Sequence, residues 1–359
     1  MTLTGTAHLH VLIATPGGRG GIDRMMDAVD AAMVHDKTVD VRIGATRGGG
    51  HAIFSLYRAV RFAVRLAVLR FGRGCDVLHL NVASRGSTTR KAWLASVAYA
   101  LGVPYVVHLH GGEYRKYFAN ADEATKRRVR RFFRRAAQVV VLGSVWRDFI
   151  ISEDLADARR VHVLHNAAPH PRLAQKSSED GRVRILFLGV LGPLKGVPQL
   201  VEALARISAT RPWRAVLAGD GDVAGIRAAV AAHNLNATVA VPGWVDAPGV
   251  ERLLADADIL VLPSFAENLP MSVIEAMAAG LAVITTPVGA IPDIIRHGET
   301  GMLVAAGDVA GLAEAISTLV SQDTERRRLG SNAKAFHDRH LEIGQYSRRL
   351  VQIWRNAAS

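Results

Sequence analysis

Leu262-Pro-Ser-Phe-Ala-Glu267-Asn-Leu-Pro-Met-Ser-Val-Ile-Glu275-Ala-Met-Ala-Ala-Gly280 is the stretch that decides the fold class. The apolar run Ile259–Leu262 has strand length, and the loop after it carries Glu267. Pro270 brings the backbone angle favoured in a first helical turn, and Gly280 supplies a stop. Strand, loop and helix therefore follow one another within one short segment.

The same alternation runs through the chain. His8–Thr15, Val39–Gly44, Asp76–Leu80, Tyr105–His110, Gln138–Leu142 and Val161–Leu164 read as strands, with helical spacing over Arg24–Val34, Ile53–Phe71, Arg90–Leu101 and Glu123–Ala136. Further strands are expected at Val183–Gly189, Arg214–Ala218, Thr238–Val241, Ala282–Thr285 and Gly301–Val304. Such alternation means an α/β fold of parallel sheets covered by helices. The 359 residues suit two domains better than one core. The first is expected at 1–170, then a polar linker at 171–182, then a second at 183–340. The tail Thr324–Ala358 reads as helical throughout, with 341–359 as a C-terminal helix free to cross back to the N-terminal domain. Two such sheets in tandem would face a central cleft with the carboxyl ends of their strands.

With 49% hydrophobic and 21% charged residues, disordered and fibrous classes are excluded. The single Cys75 has no internal disulfide partner, and Met1–His10 lacks a basic-then-apolar secretion pattern, so a reducing cytoplasm is expected. No apolar stretch reaches the ~20 residues that span a bilayer. Residues 1–175 carry 26 Lys+Arg against 13 Asp+Glu, whereas 176–359 carry 18 against 19, so the excess basicity lies wholly in the first half.

Chemistry is expected where the quoted helix begins. Its unpaired amides around Leu269–Ser272 suit an anion, Glu267 would lie beside that anion, and Glu275 would reach a hydroxyl-rich group such as a sugar.

The Glu-x7-Glu spacing resembles the signature of retaining, nucleotide-sugar-dependent glycosyltransferases of family four, the group 1 glycosyl transferases with the GT-B fold. The resemblance extends to Gly20-Gly21-Ile22, His110-Gly111, Asn166, Gly189-x5-Lys195-Gly196, Gly219-Asp-Gly221, Gly243-Trp-Val and Gly298-x2-Thr-Gly301. It implies two Rossmann-like doubly wound domains, an N-terminal acceptor domain and a C-terminal donor domain. It also implies transfer of a sugar to a polyprenyl-diphosphate-linked glycan in bacterial surface or exopolysaccharide synthesis, at the inner face of the cytoplasmic membrane. By similarity His110 and Glu267 are catalytic. Gly20, Gly21, Lys195, Glu267, Asn268, Leu269 and Glu275 would bind the donor, Lys195 at the diphosphate and Glu275 at the ribose. No cofactor is implied beyond the nucleoside-diphosphate sugar, with UDP favoured over GDP, and no metal. Asp220/Asp222 and Asp256/Asp258 have metal-pair spacing without a convincing strand-end position. The family places an arginine where this chain has Val190, so Lys195 would act alone or with Arg24 or Arg115.

Three further expectations concern the basic half. Arg85, Arg90 and Lys91, after the third strand, fit an acceptor diphosphate as well as an ordinary helix start. The run Lys126–Arg135 sets Lys126, Arg127, Arg130, Arg131 and Arg134 about Val129, Phe132 and Phe133, an arrangement suited to an anionic membrane surface, with Arg58, Arg61, Arg65, Arg70 and Arg73 nearby. Two rivals stay open: a glycoside hydrolase using Glu267 and Glu275, and a basic nucleic-acid-binding protein, although no nucleic-acid motif is recognised.

Overall fold

A computed structural model describes residues 8–18, 20–47, 52–72, 74–174 and 181–359, with the side chains of 52 and 53 excepted. Half of the expected linker, residues 175–180, and Arg73 lie outside the described residues. The chain forms two compact units, one of Met1–Asn166 with Ile343–Ser359, the other of Ala167–Glu342.

In the first unit the order is β1 (Leu9–Thr15), α1 (Gly21–Met33), β2 (Val39–Ala45), α2 (Ala52–Phe71), β3 (Val77–Val82), α3 (Gly86–Ala100), β4 (Tyr105–Leu109), α4 (Tyr114–Ala119), α5 (Glu123–Arg134), β5 (Gln138–Val141), α6 (Ser144–Ser152) and β6 (Val161–Val163). The strands form one parallel sheet in the order β2-β1-β3-β4-β5-β6. Its central strands bury both faces, as in Leu12, Ile13, Leu78 and Val107, which is why they read as continuous apolar runs. The strand order reverses between β1 and β3, so the ligand crevice of this sheet is expected outside their carboxyl ends.

The second unit contains β7 (Val183–Leu188), α7 (Val197–Ala205), β8 (Trp213–Ala218), α8 (Val223–Ala232), β9 (Val239–Gly243), α9 (Ala247–Asp256), β10 (Ile259–Leu262), α10 (Met271–Ala279), β11 (Ala282–Thr285), α11 (Ile291–Ile294), β12 (Met302–Leu303), α12 (Val309–Ser321) and α13 (Asp323–His340). Its parallel order is β12-β11-β10-β7-β8-β9, with the reversal between β7 and β10. Gly280 ends α10 at φ +76°, a left-handed conformation that suits glycine.

The tail is helical on both sides of one interruption, close to the expected start of a separate helix at 341. It breaks at Leu341–Glu342 into α13 and α14 (Ile343–Ala358), and only α14 belongs to the first unit. Leu341 is fully buried and its carbonyl accepts from Ala168 N at 3.0 Å, which gives that carbonyl a partner outside the helix. In the first unit α14 buries Tyr346, Leu350, Ile353 and Trp354, and Trp354 Nε1 donates to His79 Nδ1 at 3.0 Å.

Candidate active site

In the second unit the loops leaving β7 and β10 meet at the strand-order reversal. Gly196, at φ +69°, packs so closely that a Cβ there would stand 2.1 Å from Pro263 O. Phe265 N donates to Leu194 O at 2.9 Å, tying the same two loops. This approach brings Lys195 Nζ to 2.5 Å from Glu267 Oε1, an oxygen that also accepts from Ser264 Oγ at 2.8 Å. The Glu267 side chain is 9% exposed and that of Lys195 23%, so the ion pair is largely shielded but reachable.

The loop is fixed from below as well. Thr286 Oγ1 donates to Ser264 O at 2.6 Å, and Ala290 N donates to Asn268 O at 2.7 Å. Gly289, at φ +60°, lies where a Cβ would come within 2.3 Å of Glu267 O. Asn268 and Leu269 are buried, so Leu269 packs rather than offers a side chain. Helix α10 then starts after Pro270 with no side-chain cap, and its first-turn amides carry the positive end of the helix dipole. Glu275, partly exposed, sits on the second turn.

The Gly189 loop has its own support. Gly219 packs against Gly189 O, at 1.7 Å from an added Cβ, and Leu191 N donates to Asp220 O at 2.6 Å. Three of the four carboxylates in the two Asp-x-Asp pairs have structural partners: Asp222 caps α8 through Gly225 N, while Asp256 Oδ1 lies 3.1 Å from Arg184 Nη1 and Asp258 Oδ2 accepts from Arg184 N. Sequence reading missed the setting of the pair. Val190 and Leu194 after β7, Trp244 after β9 and Phe265 after β10 leave apolar side chains at the surface beside these strand ends. The only hint was that three of them fall within the glycine motifs, since exposure does not show in a sequence.

In the first unit the loop after β1 is arranged differently from the expectation. Asp23 accepts from Gly17 N at 2.9 Å and from Gly18 N at 3.0 Å, and Gly20 N bonds to Gly18 O. Those amides are occupied by the chain itself. Gly20 lies at φ −85°, and an added Cβ there would meet nothing within 4 Å, so no local contact requires glycine.

His110 follows β4, with Nε2 2.8 Å from Asn81 Oδ1. Asn81 Nδ2 donates to Ala14 O at 3.4 Å, which turns its carbonyl oxygen toward the imidazole, so His110 Nε2 carries the hydrogen and Nδ1 keeps its lone pair. Burial, then neighbouring His79, lowers the His110 pKa to about 3, so the ring is neutral. His79 and His108 beneath it are fully buried and likewise held neutral, chiefly by burial.

Arg85 caps α3 at φ +57° and is exposed. Arg90 is partly buried, with Nε lacking a hydrogen-bond partner among the described residues, and burial followed by Arg47 lowers its pKa. Lys91 corrects the expectation of a solvent-facing anion contact. It is 1% exposed and donates to Thr46 Oγ1 and, at 3.4 Å, to Thr15 O. Burial, then Arg90, lowers its pKa to about 7. Arg47, which the sequence reading passed over, is the like-charged neighbour whose repulsion adds to the lowering at Arg90.

Helix α5 requires a second correction. Val129, Phe132 and Phe133 are all buried, Phe133 against Tyr114, so the apolar face that was to meet a membrane is core. Asp122 caps this helix through Thr125 N, and Arg127, Arg130, Arg131, Arg134 and Arg135 line one surface concavity. Lys126 pairs with Glu123 at 3.2 Å, and Arg134 with Asp154. Arg115 is engaged by Val145 O at 3.2 Å and lies over Phe149. No described helix is long and apolar enough to cross a membrane.

Residues 4–167 match the family described as Glycosyl transferase 4-like domain, and residues 171–336 match Glycosyl transferases group 1. The alpha-D-kanosaminyltransferase of Streptomyces kanamyceticus is 25% identical over 274 residues, 71% of each chain. The N-acetyl-alpha-D-glucosaminyl L-malate synthase of Bacillus anthracis is 34% identical over 158 residues, 44% of this chain and 41% of its own. Among solved structures, Anabaena HepE in complex with UDP and glucose superposes with TM-score 0.76 at 18% identity, covering 96% of this chain and 99% of that one. A glycosyltransferase from Rickettsia africae gives 0.78 at 17%, covering 98% of both. At those identities the structural likeness speaks for the fold alone.

Proposed function

Because the chain belongs to the group 1 glycosyl transferases and has the GT-B fold, we propose that it moves a sugar from a nucleoside diphosphate to an acceptor with the anomeric configuration retained. One observation carries this reading: Lys195 and Glu267 meet at the strand-order reversal, beside the uncapped start of α10. Breaking the bond between sugar carbon and diphosphate oxygen leaves both bonding electrons on the phosphate. A lysine and a helix N-terminus oppose that growing charge without a metal. The acceptor hydroxyl bonds to the same face of the sugar carbon that the phosphate leaves, and its proton passes to a departing phosphate oxygen.

In this reading Glu267 and Glu275 hold sugar and ribose hydroxyls, with Lys195 shared between Glu267 and the diphosphate. His110 accepts a sugar hydroxyl at Nδ1 rather than serving as a proton carrier, since its pKa is about 3. UDP is the nucleotide to try first, as HepE was solved with UDP. Arg85 and Arg90, with Arg47, are the acceptor contacts, suited to the diphosphate of a lipid-linked glycan in surface polysaccharide synthesis. Incubating the full chain with a panel of UDP-, GDP- and ADP-sugars in chelator tests the donor reading. Release of one nucleoside diphosphate, lost in Lys195→Ala, supports it, and no turnover of any donor refutes it.

The proposed membrane contact moves from α5 to α2. Tyr57, Val60, Val64, Val68 and Phe71 recur at helical spacing and are 44–81% exposed, while Ala59, Phe62, Ala63 and Leu66 on the other side are buried. The helix has four arginines and no acidic residue. An apolar stripe with cations on its flanks suits an anionic bilayer surface.

A further inference from the structure

The segment entering the second unit lies on the last turn of α13, where Ala168 and Glu342 form a parallel bridge. Beneath it His337 is fully buried, with Nε2 3.0 Å from Ala168 O and Nδ1 3.1 Å from Asp338 Oδ1. A neutral imidazole has one N–H and one lone pair, whereas both neighbours here, a peptide carbonyl and a carboxylate, are acceptors. The N–H is placed at Ala168 O, because the opposite tautomer would set the Nε2 lone pair against that buried carbonyl, whereas the Asp338 side of the ring is open, with the carboxylate 40% exposed. The Nδ1 lone pair then faces the Asp338 carboxylate, and the two repel unless a cation stands between them.

A third donor converges on the same place. His170, carried between Pro169 and Pro171, has Nδ1 3.6 Å from Asp338 Oδ1, and the ligand atoms of all three side chains lie within 4.8 Å of one another. Around a tetrahedral zinc ion with bonds of about 2.0–2.1 Å, ligand atoms stand roughly 3.3 Å apart. A metal-bound histidine characteristically donates its other N–H to a backbone carbonyl, as His337 does to Ala168. A doubly protonated His337 would also satisfy both oxygens, but it needs no third donor and leaves the placement of His170 without a cause. Lys334 Nζ, 3.7 Å from Asp338 Oδ1, is a half-exposed cation on a flexible stem and can turn away.

We infer that His170, His337 and Asp338 bind a divalent ion of the zinc class, with water completing its shell. The ion ties the entering segment to α13 just before the chain leaves this unit at Glu342. It stands apart from Lys195 and Glu267 in chemistry and is a structural clasp, so donor turnover does not depend on it.

The test titrates the chelator-treated full chain with zinc chloride by calorimetry at neutral pH. One zinc per chain is expected, with Kd of about micromolar or tighter. The melting temperature should rise by about 2–4 °C or more under zinc excess. His170→Ala and Asp338→Asn, both at the surface, should melt as the wild type does without metal and bind zinc about tenfold or more weakly. Absence of saturable binding overturns the proposal, as does equal binding by the double variant, which would place the ion elsewhere among the histidines.

Discussion

Lys195 Nζ lies 2.5 Å from Glu267 Oε1 although 72 residues separate them in sequence. They meet because β7 and β10 are neighbours in the sheet while the chain between them builds β8 and β9 on the other side. Neither loop could hold its residue alone: the bond of Phe265 N to Leu194 O and the close approach of Gly196 to Pro263 join them.

Lys195→Ala should therefore cost more than one contact. It removes the cation proposed to face the leaving diphosphate and leaves the shielded Glu267 carboxylate with Ser264 as its remaining described side-chain partner. Donor turnover should fall about 10²–10³-fold, the scale for losing one such electrostatic contact. Steady-state kinetics with saturating acceptor read this; a change below about threefold would dismiss the role.

Gly196→Ala tests the backbone approach separately from charge. The added methyl would stand 2.1 Å from Pro263 O at a φ of +69°, so the two loops must part. A loss of about 1–3 kcal/mol in unfolding free energy is expected, together with weakened donor binding. Wild-type stability in denaturant titration would show that the approach does not constrain the site.

The buried histidines make the first unit acid-labile. His79 has its pKa lowered to about 3, and His108 is lowered well below the ordinary value, both chiefly by burial. The unfolded chain binds these protons below about pH 6.5 and the folded chain does not. Stability is thus complete above about pH 6.5 and declines as pH falls toward 3, by at most about 1.4 kcal/mol per pH unit for each histidine. Denaturant melts at about pH 7.5 and about pH 5 should show this slope, flatter in His108→Gln; parallel slopes would refute it.

Trp354→Phe isolates a single hydrogen bond between α14 and the sheet. The ring remains apolar, but His79 Nδ1 loses the donor now 3.0 Å away. A cost of about 1–3 kcal/mol is expected for a buried acceptor left without its partner. A neutral outcome in thermal melts would mean the indole contributes packing alone.

Vesicle flotation distinguishes the two basic helices. Val64→Asp with Val68→Asp should abolish binding to anionic vesicles, because both side chains are exposed on α2. Arg131→Ala on α5 should weaken it only slightly. The reverse ranking would return the contact to α5.

Much of this was legible before any coordinates. The alternation of apolar runs with helical spacing announced parallel α/β sheets, and Pro270 with Gly280 marked α10 to within a residue, since both report local backbone geometry. The short helices α4 and α6 escaped notice because so few turns carry little periodic signal. Residue type and spacing also singled out Lys195 and Glu267, but their contact with each other was not foreseen.

Partners were decided by the tertiary structure alone. A period shows which side of an element is apolar and not what lies opposite it. Helices α2 and α5 both read as basic and amphipathic, yet Phe133 packs into the core while Val64 and Val68 face solvent. The same limit hid the inward turn of Lys91, the occupation of the Gly17 and Gly18 amides by Asp23, and the bond from Trp354 to His79. Composition and pattern determined the kinds of element and their order, because those depend on neighbours along the chain. Which side chains became a site depended on contacts across it, and only folding sets those distances.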